Sequence, residues 1–226
     1  MSRSTPEYRL ITEMDIDIEF SEAYKRLRTN LEFSMRSEKL QTVMFTSAHR
    51  NEGKSTIAAN LAVAFAQAGK RVLLIDADIR GACQHLIFNT SNEAGISTLL
   101  NAQSQLRDTA MSTLLRNLEL IPAGPVPSNP SEILASSEMS GLLTELKLRY
   151  DLIFIDTPPV LSFADSQILA GQCDGVVLVV NSGGVKQEAL VRATASLEIV
   201  NARILGVVLN HKKPKKADQK LKSYSY

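Results

Sequence analysis

Between residues 42 and 210, six short runs of β-favouring residues alternate with helical patterns: TVMFTS (42–47), RVLLID (71–76), LELIP (118–122), DLIFID (151–156), GVVLVVN (175–181) and ILGVVLN (204–210). Apolar on both faces, such runs suit the strands of a parallel sheet covered by helices. Between the first two, Ile57, Leu61 and Phe65, flanked by Ala58, Ala62 and Ala66, form a helical stripe that stops at Gly69, a good C′ residue. The segment from Glu188 to Val200 repeats the pattern. The alternation predicts an α/β fold with an open, mostly parallel sheet covered by helices and with ligands at the carboxyl ends of its strands. With 226 residues, 44% hydrophobic and 22% charged, the chain can bury a sizeable core as one large domain, which excludes disorder and collagen-like repeats.

Three segments lie outside this alternation. Residues 122–130, PAGPVPSNP, form a rigid connector within the domain, and Asn129, Pro130 and Glu132 read as N-cap, N1 and N3 of the next helix. Ser21 to Met35 reads as an amphipathic helix with Phe20, Tyr24, Leu27 and Leu31 on one side, either covering the sheet or serving a partner. Residues 211–226, HKKPKKADQKLKSYSY, hold six lysines and one aspartate, a side-chain charge of +5 that leaves −4 on the first 210 residues. Leu221 is the tail's only sizeable aliphatic side chain. The expected organisation is therefore a single domain over 1–210 and a mobile basic extension over 211–226.

The net charge of +1 provides no whole-chain field for nucleic acid, so no nucleic-acid partner is expected. No apolar stretch approaches the ~20 residues of a spanning helix, and the opening MSRSTPEYRL has no apolar signal core. These features predict a cytoplasmic chain. Cys83 and Cys173 lack metal-type spacing and read as buried thiols.

The run Ala48, His49, Arg50, Asn51, Glu52, Gly53, Lys54, Ser55, Thr56 follows the first strand and opens a helix, the context a phosphate-binding loop requires. Backbone N–H groups and the helix N-terminus cradle phosphates, Lys54 reaches the β/γ oxygens from a solvent-facing position, and the Ser55 hydroxyl ligates Mg²⁺. Ala48 occupies the usual first-glycine place and Gly53 is the loop's one glycine, so Asn51 is the residue expected in the left-handed region. Asp76 and Asp78 follow the second strand and Asp156 the fourth, so three carboxylates are expected to converge on bound phosphates and their metal. His85 reads as either packed or phosphate-near.

GKST, LLIDADIR and LIFIDTPP resemble the Walker A, A′ and B motifs of the bacterial tyrosine kinases, which share the ATPase scaffold of the Mrp and MinD proteins. EAYKRLRTNLEFS at 22–34 resembles their oligomerisation helix, PAGPVPSNPSEIL their proline-rich connector, and Tyr224-Ser225-Tyr226 their terminal tyrosine cluster. The resemblance implies ATP and Mg²⁺ as cofactors, with Ser55, Asp76 and Asp156 organising the metal. Asp78 is implied as acceptor of the tyrosine proton, with metal organisation as its alternative role. Asn210 resembles the scaffold's adenine-contacting asparagine, a strand cap being the other reading.

The same resemblance implies autophosphorylation of Tyr224 and Tyr226 in trans within a homo-oligomeric ring, and protein tyrosine substrates. It also implies a separate transmembrane modulator that recruits the chain to the inner face of the membrane, and a role in capsule or exopolysaccharide synthesis. Two departures stand out. In the motif E-x-x-R-x-x-R, Glu22 and Arg28 match but Lys25 takes the middle place, keeping charge without the bidentate fork. In the loop, Arg50-Asn51 replaces a common proline-glycine pair. The competing functions are an ATPase switch, as in partitioning and cell-division ATPases, and a nucleotide-binding adaptor of a polysaccharide export complex. The switches carry an extra lysine where this chain has His49, which disfavours them.

Overall fold

A computed structural model describes residues 10–12, 18–36 and 39–211; the tail from 212 onward, with Tyr224 and Tyr226, lies outside the described residues. The chain opens with helix α1 (Ile18–Arg36), strand β1 (Thr42–Ser47), helix α2 (Lys54–Gln67) and strand β2 (Val72–Asp76). Three short helices follow, α3 (Gln84–Ile87), α4 (Ile96–Leu100) and α5 (Leu106–Thr109), then strands β3 (Met111–Ser112) and β4 (Leu118–Ile121). Helices α6 (Pro130–Leu134) and α7 (Ser137–Lys147) lead to β5 (Leu152–Asp156), α8 (Asp165–Ala170), β6 (Gly175–Asn181), α9 (Gln187–Glu198) and β7 (Ile204–Asn210).

The strands form one sheet in the order β3-β4-β2-β5-β1-β6-β7, parallel throughout except for the β3–β4 pair. The expected open α/β sheet is the one observed. The strand that the sequence pattern missed is β3, whose two residues carry no readable period; it turns back onto β4 through Asn117 at φ 68°. Because successive strand residues face opposite ways, each strand feeds two cores. Val43, Phe45, Leu74, Phe154 and Val179 join α1 and α2 on one face, while Met44, Ile75, Ile155 and Leu178 join α4 and α6–α9 on the other.

Helix α2 is buried nearly all round, because α1 covers the side that the sheet does not. Its alanines let both neighbours approach, and its end is closed by Gly69 at φ +85°, whose N–H donates to the Ala66 carbonyl at 2.9 Å. The helix that the sequence predicts over 21–35 runs slightly longer, and its buried residues are Tyr24, Leu31 and Met35; Phe20 is 36% exposed. Pro130 stands at N1 of α6 as expected, but the Asn129 side chain donates to the Glu132 carboxylate at 2.5 Å instead of capping the backbone.

One expectation fails at the sheet edge. Strand β7 reads as apolar on both faces, yet Val207 and Leu209 are more than half exposed, since nothing among the described residues covers the outer side of the last strand. At the centre, by contrast, Phe154 packs edge-to-face on Phe45 at 5.1 Å and on Phe65 at 5.4 Å, joining two strands to α2. Phe154→Ala is expected to lower unfolding free energy by about 3–5 kcal/mol in urea titrations, whereas Leu209→Ala at the exposed edge should change it by less than about 1 kcal/mol.

Candidate active site

The carboxyl ends of β1, β2 and β5 lie side by side, and their register decides what the site contains. Asp76 and Asp156 are direct partners in the β2–β5 ladder, and Asp156 also partners Phe45 of β1. Both aspartates are completely buried. The Lys54 ammonium, on the first residue of α2, lies 2.8 Å from Asp78 Oδ2, 3.0 Å from Ser55 Oγ and 3.5 Å from Asp156 Oδ1. The three predicted carboxylates, the lysine and the serine thus do converge.

Lys54 is 9% exposed in this structure, so the expectation of a solvent-facing lysine is corrected: the acids around it draw its charge inward. Burial by itself would lower its pKa, but the charges of Asp156 and Asp78 and the hydrogen bond to Asp78 outweigh burial and hold it above the ordinary lysine value. Burial, then the neighbouring Asp156, raises Asp76 above the ordinary carboxylate range, and burial raises Asp156 likewise.

Asp76 finds donors in backbone. Its Oδ1 accepts from Asp78 N at 3.2 Å, and its Oδ2 from Cys83 N at 3.0 Å and Gln84 N at 2.9 Å, at the start of α3. The Gln84 side chain is fully buried and its Nε2 donates to Asp156 Oδ2 at 2.9 Å and to the Ser55 carbonyl at 3.1 Å. Asp156 Oδ1 is buried with no hydrogen-bond partner. Sequence reasoning did not assign roles to Cys83 or Gln84. A four-residue helix has no period to read, and neither residue belongs to a motif. The thiol of Cys83, pushed up to about 12 by burial and by Asp156 and Asp76, lines the same cavity; both cysteines are free and partly buried.

The loop from β1 to α2 takes its shape from its own side chains. Asn51 is left-handed at φ 63°, as predicted, and Gly53 at φ +85°. Asn210, ending β7, lies over Gly53: a Cβ there would sit 2.0 Å from Asn210 Nδ2, which donates to the Glu52 carbonyl at 3.0 Å. Glu52 is 3% exposed; its carboxylate accepts from His49 N at 2.6 Å and from Asn181 N, at the end of β6, at 3.0 Å. Its side chain therefore braces the loop instead of facing a ligand.

The cavity beneath the loop, about 340 Å³, is lined by Arg50, Asn51, Gly53, Lys54, Ser55, Thr56, Asp78, Gly81, Cys83 and Pro159. Ala48 is fully buried behind it, and His49, Glu52 and Asn210 are likewise absent from its lining. His85 is half-buried on α3 outside the lining, so the packed alternative holds. The cavity can take phosphate groups on the amides at the start of α2. A divalent cation also fits, because three acids face one lysine and Asp156 Oδ1 is buried without a hydrogen-bond partner, its ion pair being to Lys54 at 3.5 Å. Among the described residues no three His, Cys, Asp or Glu side chains cage an ion by themselves, as suits a cation completed by phosphate and water.

A family profile described as an AAA domain matches residues 41–205, which contain every motif of this site. Tyrosine-protein kinase YwqD of Bacillus subtilis is 42% identical over 193 residues, 85% of this chain and 81% of that protein. The chain belongs to the bacterial tyrosine-protein kinase family. By class it is a protein-tyrosine kinase. Among solved structures, the chimerical protein CapA2B2 superposes with a TM-score of 0.86 at 38% identity, over 91% of this chain and 90% of that one. The Pyrococcus horikoshii septum site-determining protein MinD, complexed with Mg-ADP, shares the fold with a TM-score of 0.64 at 24% identity, over 80% of this chain and 76% of that one.

In the kinase's N-terminal helix, Glu22 and Lys25 pair with each other at 2.7 Å on the surface, while Arg28 donates to the Ala64 carbonyl at 3.0 Å and lies near Glu32. Arg28 thus ties α1 to α2 through one of its guanidinium nitrogens. No helix among the described residues is long and apolar enough to cross a membrane.

Two outcomes test this geometry. Gly53→Ala combines a left-handed backbone with the Asn210 clash, so its melting temperature should fall by the equivalent of about 1–3 kcal/mol, and Asn210→Ala in the same chain should recover only the steric part. Lys54→Met leaves Asp76, Asp78 and Asp156 together without the lysine's charge. Because the folded-state pKa values of Asp76 and Asp156 are raised, folding binds protons at mildly acidic pH and this strain grows as pH rises through the raised values. The thermal deficit of Lys54→Met relative to wild type should therefore be larger at pH 8 than at pH 5.

Proposed function

We propose that the chain is an ATP-dependent, autophosphorylating protein-tyrosine kinase that regulates capsular or exopolysaccharide synthesis and phosphorylates its own C-terminal tyrosines, Tyr224 and Tyr226, in trans. The observation that carries the proposal is the shared ion pair of Lys54 with Asp78 and Asp156 at the floor of a loop-walled cavity. ATP is the phosphoryl donor and Mg²⁺ supplies charge neutralisation at its phosphates. Ser55, Asp76 and Asp156 hold the metal directly or through water. Gly53, Lys54, Ser55 and Thr56 hold phosphate through backbone and side chain, with Asn210 closing the loop from behind.

Lys54 has two sets of partners to choose between. Without nucleotide it neutralises Asp78; turned to phosphate oxygens it would release the Asp78 carboxylate to accept the acceptor tyrosine's proton as the bond from the tyrosine oxygen to the γ-phosphorus forms and the bond from that phosphorus to the bridging oxygen breaks, ADP being the leaving group. Proton acceptance and nucleotide occupancy are thereby coupled through one ammonium group. Glu22, Lys25 and Arg28 on α1 contribute to a homo-oligomeric ring. The kinase works in the cytoplasm, at the inner face of the membrane, beside a separate transmembrane modulator. Protein tyrosines are its exogenous substrates.

Asp78→Asn should reduce transfer to tyrosine much more than it reduces nucleotide affinity; equal losses would make Asp78 a metal organiser. For transfer in trans, Lys54→Met full-length chain is mixed with wild-type chain lacking residues 223–226, with ATP and Mg²⁺. Phosphotyrosine at Tyr224 or Tyr226 of the inactive chain is expected. Its absence, while the truncated chain still phosphorylates an added tyrosine peptide, would overturn transfer to the tail.

A further inference from the structure

The aromatic ring of Phe163, seven residues beyond Asp156, is shared by two guanidinium groups: that of Arg80 lies 4.6 Å from its centroid and that of Arg50 5.7 Å. Both distances fall within the range in which a ring face attracts a cation. The two arginines are otherwise unlike. Arg80 Nε donates to the fully buried Asp165 at 3.1 Å, and Ser131 at the start of α6 donates to the same carboxylate. Arg80 is thereby fixed, and its charge is matched. Arg50 is exposed, belongs to the phosphate-binding loop, and lines the cavity opposite no acid paired with it among the described ion pairs.

The cavity's charge balance gives Arg50 a purpose. Lys54 is already shared between Asp78 and Asp156, and Asp76 adds a third carboxylate. A magnesium nucleotide brought to this floor remains anionic, so one lysine is too little cationic charge for acids and phosphates together. Arg50 is the other cation in the cavity lining, which also contains Asp78 and Pro159. Pro159 and Phe163 belong to the segment that leaves β5 after Asp156, so the ring and the acid beneath the phosphates are set by one short piece of chain.

We propose that Arg50 is a phosphate-binding residue specific for the terminal phosphate of ATP, and that Phe163 is its positioning residue, holding the guanidinium at the cavity mouth beside a second arginine that fixes the ring. Arg80, Asp165 and Ser131 anchor the platform; Arg50 extends from it. The inference rests on the ATP-dependent tyrosine-kinase reading above and adds to it a contact that distinguishes ATP from ADP. A guanidinium offers paired donors to phosphate that a lysine at the same place could not reproduce.

The test is nucleotide binding to the full chain with Mg²⁺, measured by fluorescence competition with ADP and with a non-hydrolysable ATP analogue, alongside the rate of tyrosine transfer. Arg50→Ala should weaken the ATP analogue about tenfold or more, the loss of one charge-assisted phosphate contact, with ADP little changed. Phe163→Leu should shift the ratio of the two affinities in the same direction, Phe163→Tyr should restore it, and Arg50→Ala with Phe163→Leu should be no worse than Arg50→Ala alone. Equal loss of both nucleotides in Arg50→Ala, or an effect of Phe163→Leu that adds to that of Arg50→Ala, overturns the proposal while leaving the kinase reading in place. Failure of the wild-type chain to bind either nucleotide overturns both.

Discussion

Two carboxylates buried next to each other in a parallel ladder are the constraint on which the rest of this structure depends. Asp76 and Asp156 are both fully buried at adjacent strand ends, where desolvation and mutual repulsion act together. Hydrophobic side chains of similar volume would stabilise the sheet better. The surroundings offset this cost piecemeal: three backbone N–H groups at Asp76, the Gln84 amide at Asp156, and a single ammonium from the start of α2. Even so, one lysine faces three acids and one carboxylate oxygen has no hydrogen-bond partner. The site is built to be completed by a cation and by the anion that accompanies it.

The loop above the acids shows how the same scaffold holds an unusual backbone with few glycines. Where a glycine-rich turn would rely on absent side chains, this chain uses present ones. Glu52 folds back onto His49 and reaches the end of β6, while Asn210 reaches in from the end of β7 and fills the space over Gly53. The loop is therefore tied to two strands that contribute no acid to the site. Left-handed residues at 51 and 53 are held by these contacts, so the strain is distributed over β6 and β7 and does not depend on one turn.

Much of this was legible in the sequence because it depends on local chemistry. The six predicted strands are present within a residue of their expected bounds, since continuous apolar runs with β-branched residues leave little alternative. Asn51 in the left-handed region follows from its side chain alone. Other features depend on what lies across space. The inward turn of Lys54 is an effect of acids 24 and 102 positions away, as the separations to Asp78 and Asp156 show. Gln84 and Cys83 matter because a short helix starts under Asp76, and Phe163 because a loop returns between two arginines. Exposure at β7 reflects its place at the sheet edge, which composition does not reveal.

The inward lysine and the outward arginine are two answers to the same electrostatic problem. A cation strong enough to stabilise buried acids is, for that reason, partly spent before a phosphate arrives, so its attraction for phosphate is reduced by whatever it gives up at Asp78. Placing a second cation on an aromatic ring avoids that exchange. A ring attracts a guanidinium without neutralising it, whereas a carboxylate does both. In this chain the carboxylate is used where charge must be matched, at Arg80, and the ring where charge must remain available, at Arg50. Cation placement at the site thus follows from a division between paired charges that hold the fold and an unneutralised one left at the mouth of the cavity.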